Sequence, residues 1–404
     1  MNIRITPKKL HGSIAAITAK ASAHRMIICA ALSDAPFFAG VNLFSEDINA
    51  TLECVKGLGC GVEKTNSGVL LTPRTVPAGR EFPCSESGST LRLMLPVAAA
   101  LGGGSFSGHG RLPERPTGAL MDCLAAHGAC FSKERLPFEV SGKLTPGKFS
   151  LPGNISSQFV SGLLFALPLL EGDSEIVLTS PLVSKGYVDL TLDAIGRFGI
   201  RVTATEKGFF VPGNQRYVSP GRIDCEGDWS NAAFWLTAGF LGEEISMTGL
   251  DPDSAQKDKK VTEILEEMKH PGDITVSCSD IPDLVPVLSV AASGRIGKTV
   301  FTETARLRIK ESDRAATVCA MLENLGGKAE MDDDSITVYG TGRLNGGTVD
   351  SFGDHRIAMS AAVAAVICSS PVIITGAQAA NKSYPRFFED YKMLGGECYE
   401  IGLW

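Results

Sequence analysis

One local pattern recurs along this 404-residue chain: a short amphipathic helix, a stop that contains glycine, then a strand or hairpin. A chain built this way folds as repeated α/β units, so the repeat constrains architecture more than any single motif does. Apolar residues step by four and three at Ile48, Leu52 and Val55, placing them on one helix face, and the step returns at Val188, Leu192 and Ile195. It appears again at Val261, Leu265 and Met268, and at Val318, Leu322 and Leu325. Leu58-Gly59, Phe198-Gly199 and Leu325-Gly326 end three of these helices, because glycine enters the left-handed region at little cost. Strand-like runs with internal turns come next: GVEKTNSGVLLTP, GIRVTATEKGFFVPG and GKAEMDDDSITVYG. LMDCLAAHGACF with PFEVSG forms a further unit, and FFEDYKMLGGECYEIG forms the last. The stop glycines Gly59, Gly128, Gly199, Gly326 and Gly395 are separated by 69, 71, 127 and 69 residues. The long gap accommodates a degraded unit, VTEILEEMKHPGDITV. Six units average about 67 residues each, too long and too few for a solenoid, so the reading is two pseudo-repetitive α/β domains of three units.

Composition narrows the partners. Asp and Glu exceed Lys and Arg by 45 to 38, a net charge of −7, whereas a protein that coats nucleic acid or an anionic membrane usually shows the opposite balance. The 11 cysteines are scattered, form no C-x-x-C pair and lie in no metal-ligand spacing with histidine, so they read as reduced thiols with no metal. The start, MNIRITPKKLHG, has no apolar core of a signal peptide. The most apolar stretches, Phe159–Leu170 and Ile357–Thr375, are too short or too interrupted to span a bilayer. The expectation is a cytoplasmic protein.

Several polar clusters go beyond what the binary pattern requires. Lys20-Ala-Ser-Ala-His-Arg25 opens a helical run, and cations at a helix start oppose the macrodipole unless an anion relieves them. Ser85-Glu-Ser-Gly-Ser-Thr-Leu-Arg92 is a small, glycine-centred turn feeding a helix, with backbone N–H groups to offer. Arg111-Leu-Pro-Glu-Arg115-Pro is a proline-bracketed loop with two guanidiniums. Asn154-Ile-Ser156-Ser157-Gln158-Phe159 starts a helix with two hydroxyls where a cap needs one. Arg308-Ile-Lys310-Glu311-Ser-Asp313-Arg314 packs five charges into seven positions, and on a helix Lys310 and Arg314 would share a face. Gly353-Asp354-His355-Arg356 precedes an almost uncharged helix, and Lys382 follows a buried strand, VIIT. Taken singly, each cluster is also compatible with a solvated turn, a helix cap or a charged face.

Together they form an ordered set. K-x-x-x-x-R, S-G-S-T-L-R, E-R-P-T-G, S-S-Q-F, L-V-S-K-G-Y at 182–187, E-G-D at 226–228, I-P-D at 281–283, K-E-S-D-R and G-D-H-R span residues 20 to 382 with Lys382. In this the chain resembles the enolpyruvyl transferases, in the branch that acts on shikimate 3-phosphate. The resemblance implies an α/β fold: a two-domain inside-out α/β barrel, each domain made of three βαβαββ units with pseudo-threefold symmetry. It implies one domain over 19–225, mainly for shikimate 3-phosphate. The other comprises 1–18 and 226–404, with the catalytic carboxylates and part of the phosphoenolpyruvate site, and the active site lies in the cleft between the domains. The implied reaction joins the enolpyruvyl group of phosphoenolpyruvate to shikimate 3-phosphate and releases phosphate, with no metal or organic cofactor, in a monomer.

By the same resemblance, shikimate 3-phosphate contacts Lys20, Arg25, Ser156, Ser157, Gln158, Ser184, Asp283 and Lys310. Phosphoenolpyruvate contacts Lys20, Gly88, Arg115, Gln158, Arg314, Arg356 and Lys382. A side chain at Gly88 would crowd the ligand. Asp283 is implied as the base and Glu311 as the acid, with Lys20 assisting. The chain departs from most relatives at Ala21 and Ala23, where serine is usual, and at Arg306, where some carry asparagine. The sister enzyme acting on UDP-N-acetylglucosamine shares the fold but lacks the S-S-Q-F and K-E-S-D-R set. It uses a loop cysteine, and no cysteine occupies 106–120. A non-catalytic anion-binding repeat protein would explain the basic loops but not Asp283 and Glu311 beside them.

Overall fold

The computed structural model describes residues 1–74 and 80–402. Contacts divide the chain into two units, Thr18–Cys225 (the first unit) and Met1–Ile17 with Glu226–Trp404 (the second). The first unit carries helices α1 (Lys20–Leu32), α2 (Glu46–Gly57), α3 (Gly88–Ala100), α4 (Gly118–Ala125), α5 (Ser157–Ala166) and α6 (Lys185–Arg197). The second carries α7 (Trp229–Phe240), α8 (Val261–Met268), α9 (Val285–Ser293), α10 (Arg314–Asn324), α11 (His355–Ala364) and α12 (Phe387–Met393).

Among the described residues, five of the six sheets have four strands in one fixed order. In the first unit, Glu81–Pro83 pairs parallel with Gly104–Ser107, which pairs antiparallel with Phe138–Gly142, which pairs antiparallel with Ala129–Phe131. The strands Lys148–Leu151, Ser174–Leu178, Gly208–Val211 and Thr203–Thr205 repeat that order. So do Ile274–Ser277, Ile296–Thr302, Ser335–Thr341 and Lys328–Met331 in the second unit. Two sheets are completed from the far end of their unit. Arg222–Asp224 pairs parallel with Phe37–Gly40, and Asn2–Thr6 lies between Val372–Thr375 and Glu397–Ile401. The N-terminal strand therefore belongs to the second unit.

The odd-numbered helices are buried along most of their length. All nine residues of α9 (VPVLSVAAS) are buried, as are all ten of α11. Helices apolar all round belong inside, so here the sheets take the outer position. Close packing of α3 on α5 depends on Gly162, where an added Cβ would lie 2.4 Å from the Arg92 carbonyl oxygen. The even-numbered helices keep one apolar face, which is the four-and-three step of the sequence: α8 buries Val261, Ile264, Leu265 and Met268. The stop glycines Gly59, Gly128, Gly199, Gly326 and Gly395 all adopt positive φ, between 80° and 98°.

The degraded repeat departs from the sequence reading. Its helix α8 forms, but Ile274–Ser277 is not its own hairpin; it opens the sheet of the next repeat. The strands that precede α8, His11–Ala15 and Glu244–Thr248, make a two-stranded parallel sheet. Arg295 caps the end of this helix instead, donating from Nε to the Met268 carbonyl at 3.1 Å and from Nη2 to the His270 and Gly272 carbonyls at 2.9 and 2.5 Å. No helix among the described residues is long and apolar enough to cross a membrane.

Candidate active site

Most of the capping and charged groups gather at helix N-termini, with Arg25 and Arg92 further along α1 and α3. In the second unit these groups form one ion-pair network. Arg314, at the start of α10 and 1% exposed, donates from Nη1 to Asp283 at 2.6 Å and from Nη2 to Glu311 at 2.7 Å. Its Nε donates to Asp354 at 2.7 Å. Asp354 caps α11 by accepting from the Arg356 backbone N–H, and also accepts from the Ser312 hydroxyl. Arg356 donates from Nη1 and Nη2 to the carbonyl and hydroxyl of Ser230, both at 2.8 Å, and Nη2 lies 3.5 Å from Asp283. The Lys310 ammonium is also 3.5 Å from Asp283.

Asp283 thus faces three cations. Burial pushes its carboxyl up, but Lys310, Arg356 and Arg314 outweigh that and hold it well below the usual carboxylate range. Burial brings the Lys310 ammonium down to about 8, with Asp283 pulling the other way. For Arg314 burial is overcome by Asp354, Glu311 and Asp283, which fix its charge. The segment before α10 corrects one expectation. Lys310 is extended, outside the helix, because Asp313 is the cap and accepts from the Ala316 N–H. Lys310 and Arg314 meet through Asp283, not along a helix face.

In the first unit the Lys20 ammonium, at the start of α1, pairs with Asp47 on α2 at 2.8 Å. Ser87 caps α3 by accepting from the Thr90 N–H. A Cβ on Gly88 would lie 2.6 Å from Nη1 of Arg115, so the crowding falls first on that guanidinium. Ser156 caps α5, while the Ser157 hydroxyl has no protein partner among the described residues. Gln158 bridges two helices: its Nε2 donates to the Ser89 hydroxyl at 2.8 Å and its Oε1 accepts from Arg92 at 3.0 Å. Arg25 braces α1 against α6, donating to Thr191 at 2.8 Å, to the Tyr187 carbonyl at 2.7 Å and to the Ala21 carbonyl at 2.6 Å. Ser184, buried and left-handed at φ 50°, precedes α6. Ala21 thus contributes its carbonyl, and Ala23 is packed in the core.

The structure therefore brings Asp283, Lys310, Glu311, Arg314 and Arg356 into one network, and links Gln158 to the α3 terminus. Lys382 is buried at the end of a 3-10 segment, Ala377–Lys382. Sequence reasoning assigned no role to Asp47, Arg92, Ser230 or Asp354. Arg92 and Asp354 stood inside quoted motifs; Asp47 looked like an ordinary acidic residue in a first helical turn.

Two units of repeated α/β sheets, with cations and carboxylates at their helix starts, suit a protein that handles anions. The solved EPSP synthase of Acinetobacter baumannii has this fold: TM-score 0.83, over 99% of this chain and 100% of that one, at 24% identity. The family model of EPSP synthase, 3-phosphoshikimate 1-carboxyvinyltransferase, matches residues 5–391. The 3-phosphoshikimate 1-carboxyvinyltransferase of Clostridium kluyveri is 41% identical over 98% of both chains. That of Clostridioides difficile is 40% identical over 100% of this chain and 99% of its own. The chain belongs to the EPSP synthase family and is a transferase.

Proposed function

We propose that this protein transfers the enolpyruvyl group of phosphoenolpyruvate to the 5-hydroxyl of shikimate 3-phosphate, releasing phosphate, as a cytoplasmic monomer. The observation that carries the reading is the family match over residues 5–391, with relatives of about 40% identity over their whole length. The charges agree with it. The two substrates bring two phosphates and two carboxylates, and Lys20, Arg25, Arg115, Lys310, Arg314, Arg356 and Lys382 are the groups assigned to meet them. Shikimate 3-phosphate takes Lys20, Arg25, Ser156, Ser157, Gln158, Ser184, Asp283 and Lys310. Phosphoenolpyruvate takes Lys20, Gly88, Arg115, Gln158, Arg314, Arg356 and Lys382.

Asp283 accepts the proton of the 5-hydroxyl as that oxygen attacks C2 of phosphoenolpyruvate. Glu311 protonates the methylene carbon, with Lys20 assisting, and the tetrahedral intermediate then expels phosphate. Without substrate Asp283 is a weak base, because three cations hold it ionised. The phosphoenolpyruvate carboxylate competes for Arg314 and Arg356, and each cation it draws away makes Asp283 more basic. The same competition loosens the 2.7 Å bond from Arg314 to Glu311, which lets Glu311 carry a proton. Binding and acid–base readiness are thus coupled through one arginine. Phosphate release tests the reading: it should require both shikimate 3-phosphate and phosphoenolpyruvate. Release with UDP-N-acetylglucosamine in place of shikimate 3-phosphate, and none with the latter, overturns it.

A further inference from the structure

His24 sits on α1 one turn beyond Lys20, is 1% exposed, and has no part in the chemistry above. Its Nδ1 lies 2.7 Å from the Thr51 hydroxyl on α2. That hydroxyl is 2.7 Å from the Thr90 hydroxyl on α3, which is 2.8 Å from Ser87 Oγ. All four groups are buried, and His24 Nε2 is a buried ring nitrogen with no partner. The chain ends on the residue that caps α3, next to Gly88.

Counting protons gives the chain a direction. Each hydroxyl has one hydrogen to donate. Thr90 has two acceptors besides Thr51, namely Ser87 Oγ at 2.8 Å and the Asp47 carbonyl at 3.4 Å. Once its hydrogen goes to either, Thr51 must donate to Thr90, and the hydrogen between His24 and Thr51 must come from His24. The ring then carries its proton on Nδ1, and the partnerless Nε2 is a bare lone pair. The reverse direction would leave a buried Nε2–H with no acceptor. An orphaned N–H donor is the rarer and costlier defect. The charge state is compatible: burial brings the imidazole down to about 3, so it is neutral at ordinary pH.

We propose that His24 is a positioning residue: as the Nδ1–H tautomer it anchors the chain His24–Thr51–Thr90–Ser87, which sets the α3 N-terminus for phosphoenolpyruvate. The role toward phosphoenolpyruvate rests on the proposed function; the direction of the chain does not. Ring 15N NMR of the histidine-labelled wild-type protein reads the direction and needs no variant. A proton on Nδ1 and a bare Nε2 are expected for His24, and a proton on Nε2 overturns the proposal.

Kinetics read the role. In His24→Asn the amide N–H can replace Nδ1–H, whereas in His24→Gln it reaches the place of Nε2. His24→Gln should raise KM for phosphoenolpyruvate about tenfold, the scale of one lost hydrogen bond, with kcat changed by no more than about twofold. His24→Asn should stay near wild type. Equal losses in both variants, or a loss shared by kcat and both KM values, overturn the positioning role. Wild-type protein inactive on both substrates refutes the transferase reading and the role toward phosphoenolpyruvate, while the NMR result still decides the chain.

Discussion

Asp354 is the acceptor on which the second unit's network depends, and replacing it with asparagine has a calculable cost. Each of its oxygens accepts two bonds. Oδ1 accepts from the Arg356 N–H at 2.9 Å and Arg314 Nη2 at 3.3 Å; Oδ2 accepts from Arg314 Nε at 2.7 Å and the Ser312 hydroxyl at 3.1 Å. In Asp354→Asn the amide settles with its NH2 in place of Oδ2, where it faces the Arg314 Nε donor but can donate to the Ser312 hydroxyl, which in turn can donate to Thr317. One bond from a guanidinium is lost, about 1.5–3 kcal/mol. Arg314 keeps Asp283 and Glu311 as partners, so it is not stranded, and the larger penalty for an unpaired buried charge does not apply. The expected loss of stability is about 2 kcal/mol. Trp229 and Trp235 are buried in the second unit and no tryptophan lies in Thr18–Cys225, so urea unfolding followed by tryptophan fluorescence reports on the second unit. A loss below about 1 kcal/mol would refute the view that Asp354 is the shared acceptor.

Gly88→Ala should raise KM for phosphoenolpyruvate at least about tenfold in steady-state kinetics, because its Cβ would lie 2.6 Å from Arg115 Nη1 and must displace that guanidinium. An unchanged KM would show that Arg115 yields freely. Arg295→Met removes the cap of α8 and should cost the second unit about 2 kcal/mol in the same urea assay, since of the lost bonds only that to the Met268 carbonyl is fully buried. Asp283→Ala should cut turnover about a hundredfold or more, with both substrates still bound in calorimetry; near-normal turnover removes Asp283 as the base. Lys310 supplies a pH dependence. Its ammonium is lost as pH rises through about 8, so KM for shikimate 3-phosphate should climb above that value, and Lys310→Arg should flatten the climb. The unfolded chain holds that proton up to its ordinary 10.5, so Lys310 makes stability rise with pH between those two values.

The even-numbered helices and their stops were legible because a helix with one buried face must show its period, and a left-handed stop selects glycine. The buried helices were legible only as apolar runs, since a helix apolar on every side shows no period. The strand after α8 is assigned to the degraded unit by sequence for a related reason, although it pairs with the next repeat. Ile274–Ser277 looks like a strand, and nothing local says which sheet receives it. Candidate site residues inside unusual clusters, such as Lys310 and Arg356, could be singled out because their charges stand out from the local pattern. Asp47 and Ser230 could not: an acid in a first helical turn and a serine after a cap are what any helix start allows. Their roles come from partners 27 and 126 positions away.

A single physical constraint connects the repeat to the chemistry. Each repeat opens with a mostly apolar helix, so its polar side chains concentrate at the first turn or just before it; Arg25 and Arg92, further along α1 and α3, are held there by hydrogen bonds. All six such helices use that position. Lys20 opens α1, Ser87 and Gly88 open α3, and Ser156, Ser157 and Gln158 open α5. Asp228 and Ser230 open α7, Asp283 lies two residues before α9, and Asp354 with Arg356 opens α11. A helix start is also where free N–H groups favour anions, so the place the core leaves to polar residues is the place best suited to phosphates and carboxylates. The cations there oppose the helix dipole and must be held by something. Without substrate Lys20 is held by Asp47, and Arg314 by Asp283, Glu311 and Asp354. If the proposed site assignment holds, the carboxylates that hold these cations are the ones an anionic substrate displaces. Charge-removing changes at them should consequently trade stability against affinity for phosphoenolpyruvate, and no such change at Glu311 should improve both.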